Sequence, residues 1–263
     1  MSELGQLRSI MRSLRDPDRG CPWDRAQNWR SIVPHTLEEA YEVAEAIETA
    51  DFGALPAELG DLLFQVVFYC QLGEEEGRFS LDDVVAALEQ KLVSRHPHVF
   101  GDAGAESADA VAQAWESRKA AQRIAAGQHS ELDDVPAALP GLSRAAKIQK
   151  RAARVGFDWP DHRGAWRKVD EELLELRHAH SELGADAVHD ELGDVLFAVV
   201  NVARHLGVEP ESSLRHATAK FERRFRAVES RVTERNLAMT EASAALLDQF
   251  WEEAKSAEKQ NGG

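Results

Sequence analysis

The stretch ELGDVLF at residues 191–197 matches ELGDLLF at residues 58–64 in all but one position. An acidic pair with the spacing Glu-x-x-Glu precedes each stretch, and 15 residues lie between the pair and the stretch in both copies. The eight acids are Glu39, Glu42, Glu58 and Asp61 in the first copy, and Glu172, Glu175, Glu191 and Asp194 in the second. Because such a pattern is hard to repeat by chance, we interpret the two copies as one duplicated module.

Helix is the secondary structure that the composition favours. Ala, Leu, Glu, Arg and Gln are plentiful, and the alternation typical of strands is nearly absent. We predict a helix over 36–50, where Thr36 and Glu39 fit a capping box, and a second over 56–72, where Pro56 fits the first turn. The other predicted helices cover 164–180, 186–206, 81–95, 211–235 and 240–257. Glycines mark helix ends at Gly73, Gly184 and Gly207.

The chain is therefore predicted to be all-α, with two tandem helical modules. Its 263 residues can hold one large domain or two small ones of about 130 residues. A stretch rich in glycine and proline over 121–142 indicates the junction. The predicted parts are an N-terminal domain at 1–125, a linker at 126–142 and a C-terminal domain at 143–263, which we expect to hold the main catalytic site.

Charge and hydropathy exclude several classes of protein. The net charge of −15 argues against general nucleic-acid binding, which depends on basic patches. No apolar run approaches the ~18 residues of a membrane span, and the N-terminus has no apolar signal core. Two cysteines do not make a disulfide framework. We therefore expect a cytoplasmic protein that binds neither nucleic acid nor membrane.

The duplicated acids are candidate metal ligands. Residues three apart share one face of a helix, so a helical hairpin can bring two acidic pairs together. An apolar run follows each ELGD, which places the acids at the edge of a core. Two unit charges 4 Å apart repel by about 4 kcal/mol at an effective dielectric near 20. Either the pKa values of the acids rise or a cation binds among them.

The donor set indicates which cation. Ligation by oxygen alone favours Mg²⁺, with Mn²⁺ as a substitute, over zinc or copper. A di-iron bundle needs Glu-x-x-His on two helices, whereas the second members of the four acidic pairs are Glu42, Asp61, Glu175 and Asp194, and none of these is a histidine. A single Glu-x-x-Glu is usually a solvated helix face, but two duplicated pairs beside apolar runs favour a metal site.

The chain resembles the MazG family of nucleoside triphosphate pyrophosphohydrolases over its full length, as in the two-domain bacterial members. The supporting stretches are RDPDRGCPWDRAQ (15–27), TLEEAYEV (36–43), ELGDLLFQVVF (58–68), KLVSRHPHVFGD (91–102), KIQKRAARVGFDW (147–159), ELGDVLFAVVNVARHLG (191–207) and KFERRF (220–225). The resemblance implies four-helix-bundle dimers, hence a homodimer. It also implies Mg²⁺-dependent hydrolysis of (deoxy)nucleoside triphosphates to monophosphate and pyrophosphate. The eight acids match the family's metal ligands in both copies.

Other residues are expected to complete the site. Glu171 and Glu38 are candidates for orienting water or a second metal, so the predicted catalytic acids are Glu171, Glu172, Glu175, Glu191 and Asp194. The predicted substrate-binding residues are Lys147, Lys150, Arg151, Trp159, Lys168, Lys220, Arg223, Arg224 and Trp251; arginine suits bidentate phosphate contacts and tryptophan can stack on a base. The first copy offers Lys91, Arg95, Lys119, Trp23 and Trp115 in comparable places.

Basic segments flank the second copy on both sides, which favours it as the main catalyst. Apolar stacking discriminates weakly between bases, so we expect broad specificity and a role in nucleotide-pool control or house-cleaning. Two alternatives stay open. The substrate could be narrower, such as a damaged nucleotide or a guanosine alarmone, or the chain could be a nucleotide-sensing regulatory or partner-binding protein.

Overall fold

The computed structural model describes residues 3–101, 107, 127 and 130–260, which divide between two compact units, 1–121 and 122–263. All regular structure in these ranges is helical, as predicted. In the first unit the helices are α1 (Glu3–Leu14), α2 (Pro22–Ala26), α3 (Trp29–Glu48), α4 (Leu55–Glu75), α5 (Leu81–Arg95) and α6 (Pro97–Phe100). In the second they are α7 (Gly141–Arg154), α8 (His162–His178), α9 (Ala185–His205), α10 (Pro210–Glu234) and α11 (Ala244–Gln260), with a π-helical turn at Ala179–Leu183 and a 3₁₀ turn at Met239–Glu241. The exact domain and linker boundaries stay a prediction.

Helix α3 begins seven residues before the predicted start at position 36. Asn28 is its cap, because its side-chain oxygen accepts hydrogen bonds from the backbone N–H groups of Arg30 and Ser31. The Ser31 hydroxyl accepts in turn from the backbone N–H of Asn28, which completes a capping box. Pro34 lies inside this helix. Because proline usually marks the start of a helix or a break in it, the sequence did not indicate that the helix begins upstream of Pro34.

The capping box predicted at Thr36 and Glu39 is therefore wrong. Thr36 lies in the interior of α3, where its hydroxyl donates to the carbonyl of Ile32 and is 3.0 Å from the Tyr69 hydroxyl on α4. Glu39 is consequently free of any capping function. Its carboxylate faces α4 instead, near Glu58 and Asp61.

The two repeats build the same hairpin. Asp161 caps α8 by accepting from the N–H of Arg163, and it stands at the same offset from Asn28 as Glu172 does from Glu39. In each hairpin the early part of the first helix packs against the late part of the second, so the helices are antiparallel. Thr36 meets Tyr69 in the first repeat, and Ala165 and Val169 share a core with Ala198 and Val202 in the second.

Helix ends confirm some glycine predictions and correct one. Helix α4 runs through Gly73 to Glu75, and the left-handed residue that follows it is Gly77, at φ 63°. Gly73 is required for a different reason, because a Cβ there would lie 2.8 Å from the carbonyl oxygen of Phe79. Gly184 and Gly207 do follow helical segments with positive φ, as predicted.

The cores are small and distributed. Met11, Ile32, Val67, Phe68 and Leu72 form the core of the first unit. In the second unit, α8 and α9 share a core of alanine and valine, while α10 and α11 enclose a separate one of Val228, Val232 and Phe250. Within the described ranges, none of the helices combines the length and apolar character needed to cross a bilayer.

Candidate metal centres

The acids of the second repeat converge between α8 and α9. Glu172 comes from α8, and Glu191 and Asp194 come from α9, with carboxylate oxygens that all lie within 4.8 Å of one another. Antiparallel packing produces this convergence, since it sets the middle of α8 opposite the beginning of α9. The structure thus brings three of the four acids predicted as ligands in this repeat into one group.

Two oxygens of this centre have no hydrogen-bond partner among the described residues. They are Oε2 of Glu172 and Oε2 of Glu191, both shielded from solvent, and Glu172 as a whole is only 5% exposed. An unpartnered buried carboxylate oxygen is costly, so buried charges are normally paired or coordinate a metal. A hard divalent cation would satisfy both oxygens, and an all-oxygen donor set is the one that Mg²⁺ prefers. The residues present therefore fit a divalent cation.

Glu171 and Glu175 complete the acidic face of α8. One carboxylate oxygen of each lies within 4.8 Å of one from Glu172. Burial raises the pKa of Glu175, and the negative charges of Glu172 and Glu191 raise it further. All five predicted catalytic acids of the second repeat are consequently in one electrostatic neighbourhood, where added positive charge is favourable.

Lys168 supplies part of that positive charge. Its Nζ lies 2.7 Å from Oε1 of Glu171 and 2.6 Å from Oε1 of Glu172, one helical turn away. The hydrogen bonds to Glu171 and Glu172 raise the pKa of Lys168. Lys168 is one of the predicted substrate-binding residues, but its contacts with the two glutamates were not predicted, although their i,i+3 and i,i+4 spacing from Lys168 is typical of such pairs.

The first repeat contains a matching acidic centre. Glu39 on α3 has a carboxylate oxygen within 4.8 Å of those of Glu58 and Asp61 on α4. Burial raises the pKa of Glu39, as do its hydrogen bond with Glu42 and the charges of Glu42 and Asp61. All four predicted ligands of this repeat are therefore neighbours.

The two centres differ in their counter-charge. His35 stands in the first repeat where Lys168 stands in the second, and its Nδ1 lies 3.6 Å from Glu38. The arginines of α1 are engaged elsewhere. Arg8, Arg12 and Arg15 form ion pairs with Glu74 and Glu75 at the end of α4, and Arg8 also with Asp82.

Three of the predicted substrate-binding residues line a groove between α10 and α11, and a fourth, Trp251, lies beside one of them. Lys220, Arg223 and Arg224 line a cavity of about 700 Å³ there. Arg224 donates to Glu258 at 2.8 Å, and its guanidinium lies 5.9 Å from the ring centre of Trp251, which also packs on Phe221. The ion pairs of Arg223 and Arg224 are with Glu258 rather than with an acid of the metal centre.

Helix α7 carries the remaining predicted cations. Lys147 and Lys150 are exposed, with no ion pair to any residue that the structure describes. Arg151 is buried and donates to the backbone carbonyls of Glu131 and Asp133, both at 3.1 Å. The structure thus gives Arg151 the task of fastening the preceding segment, which its sequence pattern did not reveal.

The aromatic candidates lie in different surroundings. Trp159 precedes α8 and is 42% exposed, with its indole against Gly164 of that helix. Trp23 has a ring centre 5.9 Å from that of His35. Trp115 and Lys119 lie outside the described residues, whereas Lys91 is exposed on α5 and Arg95 ends that helix.

Comparisons with known proteins agree with this geometry. The sequence profile of the MazG nucleotide pyrophosphohydrolase domain matches residues 27–100 and 162–228, the two hairpin repeats. The chain is 49% identical over 260 residues to a nucleoside triphosphate pyrophosphohydrolase of Escherichia coli strain K12, covering 98% of this chain and 99% of that protein. It is 41% identical over 263 residues to the nucleoside triphosphate pyrophosphohydrolase/pyrophosphatase MazG of Thermotoga maritima, covering 98% and 100%. An uncharacterised Bacillus subtilis protein, YabN, is 44% identical over 262 residues, which span 53% of its length.

Proposed function

Because this chain belongs to the MazG nucleotide pyrophosphohydrolase family, we propose that it hydrolyses nucleoside triphosphates to monophosphate and pyrophosphate at the acidic centre of its second repeat. The names of the Escherichia coli and Thermotoga maritima relatives support the reaction. The observation that carries the location is the pair of buried, unpartnered oxygens on Glu172 and Glu191.

The proposed cofactor is Mg²⁺, with Mn²⁺ as a substitute. Glu172, Glu175, Glu191 and Asp194 would hold it, and when bound it would neutralise phosphate charge and polarise the phosphorus that is attacked. The same donor types in the first repeat, Glu39, Glu42, Glu58 and Asp61, would hold a second cation. The chain's own acids otherwise repel one another, which is why a cation is expected at both places.

The remaining residues of α8 have separable tasks in this proposal. Glu171 is exposed and pairs with Lys168 through one oxygen, and its carboxylate is assigned the task of orienting the attacking water and accepting its proton. The water oxygen bonds to phosphorus, the anhydride bond between the α and β phosphoryl groups breaks, and pyrophosphate leaves. Lys168 is placed to exchange a carboxylate for a phosphate oxygen once Glu171 and Glu172 have other partners.

Additional phosphate contacts are proposed for the cations around the second repeat. Lys220 lines the α10–α11 groove and, like Lys147 and Lys150, has no ion pair with a described residue. The arginines of α1, by contrast, are already paired with acids of α4. The ammonium group of Lys168, where the first repeat has His35, supports the second repeat as the main catalyst, and nucleotide or metal sensing is the second candidate role for the first repeat.

We also propose that the chain is a homodimer with broad base specificity. The α8–α9 hairpin leaves large apolar side chains exposed, although its core holds only alanine and valine. These side chains are Leu174, Leu192, Leu196, Phe197 and Val199. Each buried leucine contributes about 1.5–3 kcal/mol, so a second copy is the natural cover for a surface that forms part of a helical bundle. Broad base specificity is expected of a base site that relies on stacking, because apolar contacts discriminate weakly between bases.

Product analysis tests the reaction. The protein is incubated with dATP and Mg²⁺, and ³¹P NMR distinguishes monophosphate plus pyrophosphate from diphosphate plus phosphate. The proposal expects equimolar dAMP and pyrophosphate, with none formed in excess EDTA. Formation of dADP and phosphate, or stoichiometric binding with no product, would contradict it.

A further inference from the structure

We propose that Trp159 is the nucleobase platform of the second repeat, that Gly164 is the seat on which its indole rests, and that Asp158 positions it through Arg204. The ligand is the base of the triphosphate, so this inference rests on the proposed function. It assigns base contact to the loop between α7 and α8.

The indole of Trp159 is fitted to α8. A Cβ added at Gly164 would lie 2.6 Å from its Cδ2 and 2.7 Å from its Cγ and Cε3. Three ring atoms at nearly equal distance mean that a face of the indole covers the glycine. Any larger residue at position 164 would push the ring away. Because Trp159 is still 42% exposed, part of the indole stays open to a ligand.

The seat lies in line with the acidic centre. Gly164, Lys168, Glu171 and Glu175 recur at the i, i+4, i+7, i+11 spacing that defines one helix face. Two turns, or roughly 11 Å, separate Gly164 from Glu171 along the helix axis. A nucleotide lying on this face would place its base on Trp159 and its phosphates at Lys168 and the acids.

The loop that presents Trp159 is anchored from α9. Arg204 donates from both terminal nitrogens to the carboxylate of Asp158, one of these bonds at 2.9 Å, and Nε2 of His205 lies 3.2 Å from the same carboxylate. Burial alone would raise the pKa of Asp158, but the hydrogen bond and charge of Arg204 lower it. Asp158 therefore stays ionised and clamped, which fixes the residue that follows it.

The first repeat lacks this seat. Gly20 and Trp23 repeat the spacing of Gly156 and Trp159, but the residue five positions after Trp23 is Asn28, the cap of α3, where the second repeat has Gly164 five positions after Trp159. The indole of Trp23 instead lies against His35, which stands further along α3. Trp251 is also a poorer platform, because it packs in the α10–α11 core beside Phe221 and Arg224.

Substitutions that separate base contact from phosphate contact test the inference. Trp159→Ala is compared with Trp159→Phe, which keeps an aromatic face, and with Phe157→Ala, which removes an 82% exposed aromatic from the same loop. The readouts are KM and kcat for dATP, and inhibition by inorganic tripolyphosphate, which has no base. Stacking of one base corresponds to roughly a 5- to 150-fold effect.

We expect Trp159→Ala to raise the KM for dATP within that range and to leave inhibition by tripolyphosphate unchanged, with Phe157→Ala like wild type. Trp159→Phe recovers most of the affinity. Gly164→Ala and Asp158→Asn raise KM in the same base-dependent way, provided that circular dichroism shows them folded. Equal weakening of dATP and tripolyphosphate, or no effect of Trp159→Ala, would overturn the proposal.

Binding keeps the inference separate from turnover. Titration with dAMP and Mg²⁺ should quench tryptophan fluorescence in wild type and lose most of that quenching in Trp159→Ala. If wild type cleaves no nucleotide, the proposed reaction fails, and this titration still decides the platform. Undiminished quenching in Trp159→Ala would refute it.

Discussion

The Nζ atom of Lys168 lies 2.6 Å from Oε1 of Glu172, while Oε2 of the same carboxylate is buried without a hydrogen-bond partner among the described residues. One oxygen of Glu172 is thus compensated by the protein and the other is not. A lysine is a point charge on a flexible stem, so it can leave the carboxylate when another cation arrives. This relationship connects the fold of the hairpin to the proposed chemistry.

Glu191→Gln should abolish most divalent-cation binding at the second centre. The substitution keeps the shape of the side chain but removes a charged ligand oxygen, so we expect Mn²⁺ affinity there to fall by at least about 10- to 100-fold. Isothermal titration calorimetry checks this, with Glu58→Gln as the counterpart in the first repeat. Asp170→Asn, an exposed acid on α8, is the control and should bind as wild type. Equal binding by wild type and Glu191→Gln would contradict the site.

Lys168→Met should make the metal-free protein more dependent on a cation. Without the ammonium group, Glu171, Glu172 and Glu175 repel one another uncompensated, so the melting temperature in EDTA should fall. Mg²⁺ should then raise it by more than in wild type. Differential scanning fluorimetry with and without Mg²⁺ measures both, and Lys168→Arg is the charge-retaining control. A smaller stabilisation by Mg²⁺ in Lys168→Met than in wild type would speak against the role assigned to Lys168.

The stability of the first unit should depend on pH through Glu75. Arg15 donates from Nε and from a terminal nitrogen to the two oxygens of Glu75, at 2.8 and 2.7 Å, and these hydrogen bonds lower the pKa of Glu75 from its ordinary value of 4.5. The stabilisation is therefore present above pH 4.5 and is lost as pH falls through the lowered value. Thermal melts of wild type and Glu75→Gln should differ at pH 7 and converge in acid. A difference that persists unchanged at pH 3 would rule this explanation out.

Leu196→Asp should dissociate the proposed dimer. Leu196 is 50% exposed on α9, and a charge there would be buried in an interface between two α8–α9 hairpins. Sedimentation velocity at micromolar concentration should give twice the 29.2 kDa chain mass for wild type and the chain mass for the variant. Leu132→Asp, an exposed leucine outside the hairpin, is the control. A wild-type protein that sediments at 29.2 kDa would remove the dimer from the account.

Local spacing in the sequence predicted most of the fold and the acidic centres. The i,i+3 pairs and the break at Gly184 were enough to predict that α8 and α9 form a hairpin with their acids together, and helix α5 has the predicted bounds. The beginning of α3 could not be read so easily, because Pro34 in the helix interior suggests an interruption that Asn28 overrides by capping further upstream.

Long-range contacts explain what the sequence could not predict. Arg151 was predicted to bind substrate because it lies in the basic segment before the second repeat, but its partners are the carbonyls of Glu131 and Asp133, which no local pattern reveals. The clamp of Arg204 on Asp158 joins residues 46 positions apart. The contacts of Lys168, by contrast, could have been predicted from the sequence, since both its partners lie within one helical turn.

The most direct test is pyrophosphate release from a panel of dNTPs and NTPs with Mg²⁺, measured for wild type, Glu175→Ala and Glu42→Ala. The account predicts release by wild type from several bases, loss of at least 100-fold in kcat/KM for Glu175→Ala, corresponding to about 2.7 kcal/mol, and retention of most activity by Glu42→Ala. Loss in Glu42→Ala with full activity in Glu175→Ala would move catalysis to the first repeat and contradict the central claim.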